Sequence, residues 1–254
     1  MKKSVLVVAN WKMHPKTQAE AKKLLTESKK AIEKYQKVRL IIAPPAPFLP
    51  ILSKGVRGKR LTFGAQHIHT EEIGSFTGSI SMPMFADVGA SAVLIGHAES
   101  RYPANGGGDT EEDIATQVAL AIKYKKTPIL CIGERVRDAQ GLYLHDVRKQ
   151  ISAGISKAPK NKVKSIIFAY EPVWAIGAAE TMSTHAMHEM SLYIRKILME
   201  YIGPSAGQVS ILYGGSIDET NAKAMVHEGE VQGLLVGRAS TDGARFNKLI
   251  HALY

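Results

Sequence analysis

Eight short apolar runs recur along the chain: VLVVAN (5–10), LIIAP (40–44), LTFGAQ (61–66), AVLIGH (92–97), PILCIG (128–133), IIFAY (166–170), VSILYG (209–214) and GLLVGR (233–238). Each is rich in β-branched or aromatic residues and apolar at consecutive positions, as in strands covered on both faces. Amphipathic stretches at 17–35, 111–125, 142–157, 184–201 and 241–252 read as helices, with a shorter one at 218–227. Ser216, Asp218 and Glu219 supply the hydroxyl and acids expected where that short helix starts. Eight units in 254 residues average about 32 residues each, the size of a strand–helix–strand repeat. No change of composition divides the chain, and the GGG at 106–108 reads as a surface loop, so residues 1–254 are expected to form one domain. An open doubly wound sheet would carry a glycine-rich dinucleotide fingerprint after its first strand, where this chain has NWKMHPK. The expected fold class is therefore α/β, a single-domain eight-stranded parallel (β/α)8 barrel.

A barrel of this kind gathers the C-terminal ends of all its strands on one face, where active sites are built. Strand one ends Asn10-Trp11-Lys12, strand four Gly96-His97-Ala98-Glu99, strand six Glu171-Pro172, strand seven Gly214-Gly215-Ser216 and strand eight Gly237-Arg238. The turns after strands seven and eight offer bare backbone N–H groups and a hydroxyl, which suit a phosphate. Gly177 could add another N–H, and Lys12 a cation. With a phosphate anchored, Glu171 and His97 remain to handle protons. A carboxylate shielded from water can remove a proton α to a carbonyl, and an imidazole opposite can polarise the carbonyl oxygen. The Pro-Val-Trp-Ala-Ile that follows Glu171 has the composition of a loop that folds over a ligand and excludes water.

Charge and composition narrow the partners. The formal net charge is +10, from 33 Lys+Arg against 23 Asp+Glu, which favours anionic ligands. The lysines are dispersed, with Lys22-Lys23 and Lys29-Lys30 on solvated helix faces. No basic run is interleaved with aromatics, so nucleic acid is not an expected partner. Cys131 is the single cysteine; within PILCIG it reads as a buried small hydrophobe, and a reducing cytoplasm is the simplest home. Val5–Ala9 is short against the roughly 7–15 apolar residues of a signal peptide, and no run approaches the ~20 of a membrane span. The pairs His67/His69 and His185/His188 have metal-ligand spacings but no third ligand nearby, so they read as exposed or capping residues, and no metal is expected.

Eight motifs carry a resemblance: ANWKM (9–13), GAQ (64–66), FTG (76–78), IGHAESR (95–101), CIGE (131–134), AYEPVWAIG (169–177), LYGGS (212–216) and GLLVG (233–237). Through them the chain resembles the triosephosphate isomerase family along essentially its whole length. The resemblance implies reversible conversion of dihydroxyacetone phosphate and D-glyceraldehyde 3-phosphate, in glycolysis and gluconeogenesis, without cofactor or metal. It makes Glu171 the base and neutral His97 the electrophile. Lys12 offsets phosphate and enediolate charge, Asn10 orients the substrate oxygens, and Glu99 positions that neighbourhood. Gly177, Ser216, Gly237 and the backbone of Arg238 hold the phosphate. The lid spans Pro172, Val173, Trp174, Ala175, Ile176, Gly177, Ala178, Ala179 and Glu180. The family's usual homodimer would use Thr77, Phe76 and Gln66, with Thr77 docking beside the partner subunit's Asn10 and Lys12.

The chain also departs from the family pattern. Ala98, Ser100 and Ser79 replace a serine, an arginine and a glutamate, and Asp109 is a candidate for the acid in the segment after Arg101. Ala178-Ala179-Glu180 stands at the far lid hinge, and Arg238 replaces the second glycine of a pair. Arg238 and Ala98 motivate a second reading, an isomerase of a four-carbon ketose phosphate. The charge of +10 motivates a third, a barrel that acts by binding alone.

Overall fold

The computed structural model describes residues 4–56, 58–175 and 181–254. Eight parallel strands close into a barrel in chain order: β1 (Val5–Asn10), β2 (Val38–Ala43), β3 (Leu61–Ala65), β4 (Ala90–Ile95), β5 (Thr127–Ile132), β6 (Ile167–Tyr170), β7 (Ser210–Tyr213) and β8 (Gly233–Val236). Alternate residues of each strand face opposite sides. Leu6, Val8, Ile41, Ala43, Ala92, Leu94, Ile129, Cys131, Ile167, Ala169, Leu212 and Leu235 form the barrel interior. Their neighbours, such as Val7, Leu40, Val93, Leu130, Phe168 and Ile211, pack outward in the layer shared with the helices. Both faces are buried, which is why the runs are apolar without alternation.

The same alternation places the site. Asn10 follows Val8 by two, Glu171 follows Ala169, Gly214 follows Leu212 and Gly237 follows Leu235. Each thus continues an inward-facing row to the C-terminal mouth of the barrel.

The barrel closes between β1 and β8, with Leu6 opposite Gly233. A Cβ added to Gly233 would lie 1.8 Å from the Leu6 carbonyl oxygen, so only hydrogen fits there. Gly233→Ala must part the seam or bend a strand. It is expected to destabilise the fold by about 3 kcal/mol or more, read as a lower denaturant midpoint; an unchanged midpoint would show that the seam yields freely.

Nine helices are described: α1 (Gln18–Glu33), α2 (Leu49–Ser53), α3 (Met82–Asp87), α4 (Ala98–Arg101), α5 (Glu111–Lys123), α6 (Tyr143–Ile155), α7 (Thr184–Ile202), α8 (Ala222–His227) and α9 (Gly243–Ala252). Capping boxes start α1, between Thr17 and Glu20, and α5, between Thr110 and Asp113. The short helices α2, α3 and α4 have no counterpart in the sequence pattern, because four to six residues cannot display a 3.6-residue period. The stretch at 218–227 is helical only from Ala222. The Asp218 carboxylate accepts from the Thr220 N–H (2.8 Å) and hydroxyl (2.6 Å), a turn that competes with a helix start. The glycine turn after β7 therefore does not run straight into a helix, and its suitability for an anion rests on the turn's own N–H groups.

Among the described residues no helix is long and apolar enough to cross a membrane.

Candidate active site

The residues after β1 are held in an unusual conformation. Lys12 has φ of 50°, the left-handed region that non-glycine residues seldom occupy. Two amide side chains clamp it: Asn10 Oδ1 accepts the Lys12 N–H (3.0 Å), and Gln66 Nε2 donates to the Lys12 carbonyl (2.8 Å) and to Ala43 O (2.8 Å). The Ser240 hydroxyl, at the foot of the turn after β8, donates to Asn10 O at 3.3 Å. Lys12 Nζ then reaches Glu99 Oε1 at 2.6 Å. Partial burial would raise the Glu99 carboxyl's pKa, but the hydrogen bond and charge of Lys12 outweigh it and hold that pKa below the usual range.

His97 is the N-cap of α4, and its Nδ1 accepts the Glu99 backbone N–H at 3.2 Å. An accepting Nδ1 carries no proton, so the neutral ring bears its hydrogen on Nε2. That Nε2 lies 3.4 Å from Glu171 Oε1, with both side chains buried. Glu171 is 4% exposed, and its Oε2 has no hydrogen-bonding partner among the described residues. An unsatisfied buried carboxylate oxygen is costly unless it has a task. Cys131, wholly buried at the end of β5, faces the same carboxylate; burial first, and the Glu171 charge second, push its thiol well above its usual pKa.

Two residues given no role from sequence shape this site. Glu134, fully buried just beyond β5, accepts from both the Tyr170 hydroxyl (2.9 Å to each oxygen) and Trp174 Nε1 (2.8 Å). Its carbonyl accepts from Val173 N at 2.9 Å, so it fixes the turn Val173–Ala175 that follows Glu171. Burial, then the Glu134 charge, raise the Tyr170 phenol far above its ordinary pKa. Arg101, also buried, donates to Gly96 O (3.2 Å), Cys131 O (3.3 Å) and Glu111 (2.6 Å), bracing the loop that carries His97. Nothing local in the sequence marks either residue, because the partners of Glu134 lie 36 and 40 positions away and those of Arg101 include Cys131.

Asn10, Lys12, His97, Glu171, Ser216, Gly237 and Arg238 line one cavity of about 360 Å³, together with His14, Thr181, Gly214, Gly215, Asp218 and Arg245. Glu99 touches it through Lys12. The Ser216 hydroxyl donates to Ala175 O at 2.9 Å, tying the turn after β7 to the segment after Glu171. Of the expected lid, Pro172–Ala175 are described; Ile176–Glu180, including Gly177, lie outside the described residues.

The family model described as triosephosphate isomerase matches residues 5–253. The chain belongs to the triosephosphate isomerase family. It is 37% identical over 251 residues to the triosephosphate isomerase of Lawsonia intracellularis, covering 98% of each chain. The enzyme of that name from Flavobacterium johnsoniae is 37% identical over 257 residues, with 100% of both chains covered. That of Aquifex aeolicus is 34% identical over 248 residues, 97% of this chain and 98% of the relative.

Within a triosephosphate isomerase frame the departures acquire local explanations. Asp109 pairs with His67 Nε2 at 3.1 Å, whereas the acid that meets Arg101 is Glu111. His185 and His188 lie near Glu189 (3.9 Å) and Glu230 (3.7 Å) on the surface. Among the described residues no group of three or more His, Cys, Asp or Glu could hold a metal ion. Gln66, expected at a subunit interface, turns inward onto Lys12, while Phe76 and Thr77 are exposed.

Proposed function

We propose that this triosephosphate isomerase interconverts dihydroxyacetone phosphate and D-glyceraldehyde 3-phosphate with Glu171 as the base and His97 as the electrophile. The observation that carries the assignment of roles is the 3.4 Å approach of His97 Nε2 to a buried, partly unsatisfied Glu171 carboxylate. Glu171 takes a proton from the carbon next to the carbonyl, and the electron pair moves onto the carbonyl oxygen as the C–C double bond forms. His97 Nε2–H donates to that oxygen, and Lys12 stabilises the negative charge of the enediolate and the phosphate. Glu171 then returns the proton to the neighbouring carbon, while the hydroxyl proton passes by way of His97 Nε2 to the first carbonyl oxygen and the new carbonyl forms, so the isomerisation balances without any outside reactant. The turns at Gly214–Ser216 and Gly237–Arg238, with Gly177, hold the phosphate.

A coupled assay with glyceraldehyde 3-phosphate tests this, and absence of turnover in well-folded protein sinks it. The four-carbon ketose phosphate gains no support from the relatives, all three of which carry the triose name. A homodimer in a reducing cytoplasm fits the exposed Met13, Ile73 and Phe76 near the two expected docking loops and the buried free thiol of Cys131. Sedimentation in solution checks the dimer.

A subtler variant separates position from chemistry. A Cβ on Gly214 would lie 2.5 Å from Glu171 Cγ. Gly214→Ala is therefore expected to displace the carboxylate and lower kcat by about 10²-fold, the cost of roughly 1 Å of misplacement. An unaltered kcat would mean that Glu171 does not need its present seat.

A further inference from the structure

Two guanidinium groups line the cavity in addition to Lys12. Lys12, Arg238 and Arg245 line it, opposed by the carboxylates of Glu171 and Asp218. Lys12 and the glycine turns suffice for a single phosphate. Asp218 accepts from Thr220, and its carboxylate also feels the charge of Arg245. Glu171 belongs to the proton-transfer end.

Four other arginines among the described residues are engaged. Arg101 pairs with Glu111 and Arg148 with Glu200, while Arg60 and Arg195 donate to backbone carbonyls. By contrast, among the described residues neither the Arg238 nor the Arg245 guanidinium makes a hydrogen bond or an ion pair. Their backbones are nevertheless well anchored. Arg238 opens the turn Arg238–Thr241, whose Ser240 hydroxyl donates to Gly237 O at 2.7 Å. Arg245 lies in the first turn of α9, where its N–H donates to the Asp242 cap at 2.9 Å. Two exposed guanidinium forks therefore rise from fixed points on the wall that continues outward from the phosphate turns. A planar fork of donors matches the paired oxygens of a phosphoryl or carboxylate group.

We propose that Arg238 and Arg245 form a second anion subsite, adjoining the phosphate cradle and extending away from Glu171, which takes the outer phosphoryl group of a diphosphate-bearing ligand. Such a ligand occupies the cradle with its inner phosphoryl group and so competes with the triose phosphate. The location of the first subsite rests on the isomerase reading given above; the second rests on the two arginines.

Inorganic pyrophosphate and orthophosphate, in metal-free buffer at low salt, are the probes, and calorimetric titration of the intact protein is the measurement. Pyrophosphate is expected to bind at least tenfold more tightly than orthophosphate, and to inhibit turnover competitively. In Arg245→Gln, and more so in the double variant with Arg238→Gln, the ratio of the two affinities is expected to fall at least fivefold. Arg245→Lys should recover part of it through charge. A ratio that is the same in wild type and variants, or an equal weakening of both anions, overturns the subsite. Because calorimetry reads binding without turnover, the two ideas fail separately. A chain that shows the arginine-dependent ratio but no isomerisation refutes only the catalytic reading. Normal isomerisation with a ratio indifferent to the arginines refutes only the subsite.

Discussion

Glu171→Gln is expected to lower kcat by roughly 10³–10⁴-fold, within the range that general base catalysis contributes, with KM changed only a few-fold. The amide has the shape of the carboxylate and can still meet His97 Nε2, but it has no lone pair basic enough to take a carbon-bound proton. The substitution sits at 4% exposure, so a folding defect must be excluded. The measurement is therefore the pair kcat and denaturant midpoint: a large fall in kcat with a midpoint near wild type supports the assignment. Comparable turnover in wild type and variant would remove Glu171 from the chemistry. Glu171→Asp supplies the graded control, since shortening the side chain withdraws the base by about 1 Å and is expected to cost about 10²-fold.

The second large effect is at Lys12. Lys12→Gln is expected to lower kcat/KM by about 10³-fold, through both terms, if, as proposed, the ammonium meets the phosphate in the ground state and the enediolate in the transition state. The geometry adds a specific consequence. Lys12 Nζ is the cation that holds the Glu99 carboxyl's pKa down, against a desolvation that pushes it up. Removing it leaves a carboxylate facing an anionic ligand, so part of the lost affinity is repulsion by Glu99. Adding Glu99→Gln to Lys12→Gln should then recover some binding, measured as a lower KM than in the single variant. A lower kcat/KM in the double variant than in Lys12→Gln would show that Glu99 has an independent role.

Much of this site follows from a period of two. Once Val8, Ala169, Leu212 and Leu235 are assigned to the barrel interior, Asn10, Glu171, Gly214 and Gly237 must share that side, because the pleat carries them there. His97 could not be placed by the same count, since it leaves β4 through Gly96 and gains its orientation as the cap of α4. Glu134 was invisible for a different reason. Its partners, Tyr170 and Trp174, lie 36 and 40 positions away, and nothing local marks a buried carboxylate. The left-handed φ of Lys12 is equally silent in sequence, because it is imposed by Asn10 and Gln66 from outside. The late start of α8 came from Asp218 using its oxygen on a turn rather than a helix.

The seam between β1 and β8 has a bearing on biosynthesis. Asn10 and Lys12 follow the first strand of the barrel and Gly237 and Arg238 the eighth, yet both pairs border one cavity. β1 pairs with β2 along one edge, while its other edge waits for β8, with Gly233 opposite Leu6. No nascent chain that stops short of β8 can assemble the wall that faces the phosphate. The cavity is thus completed only in the step that joins β8 to β1.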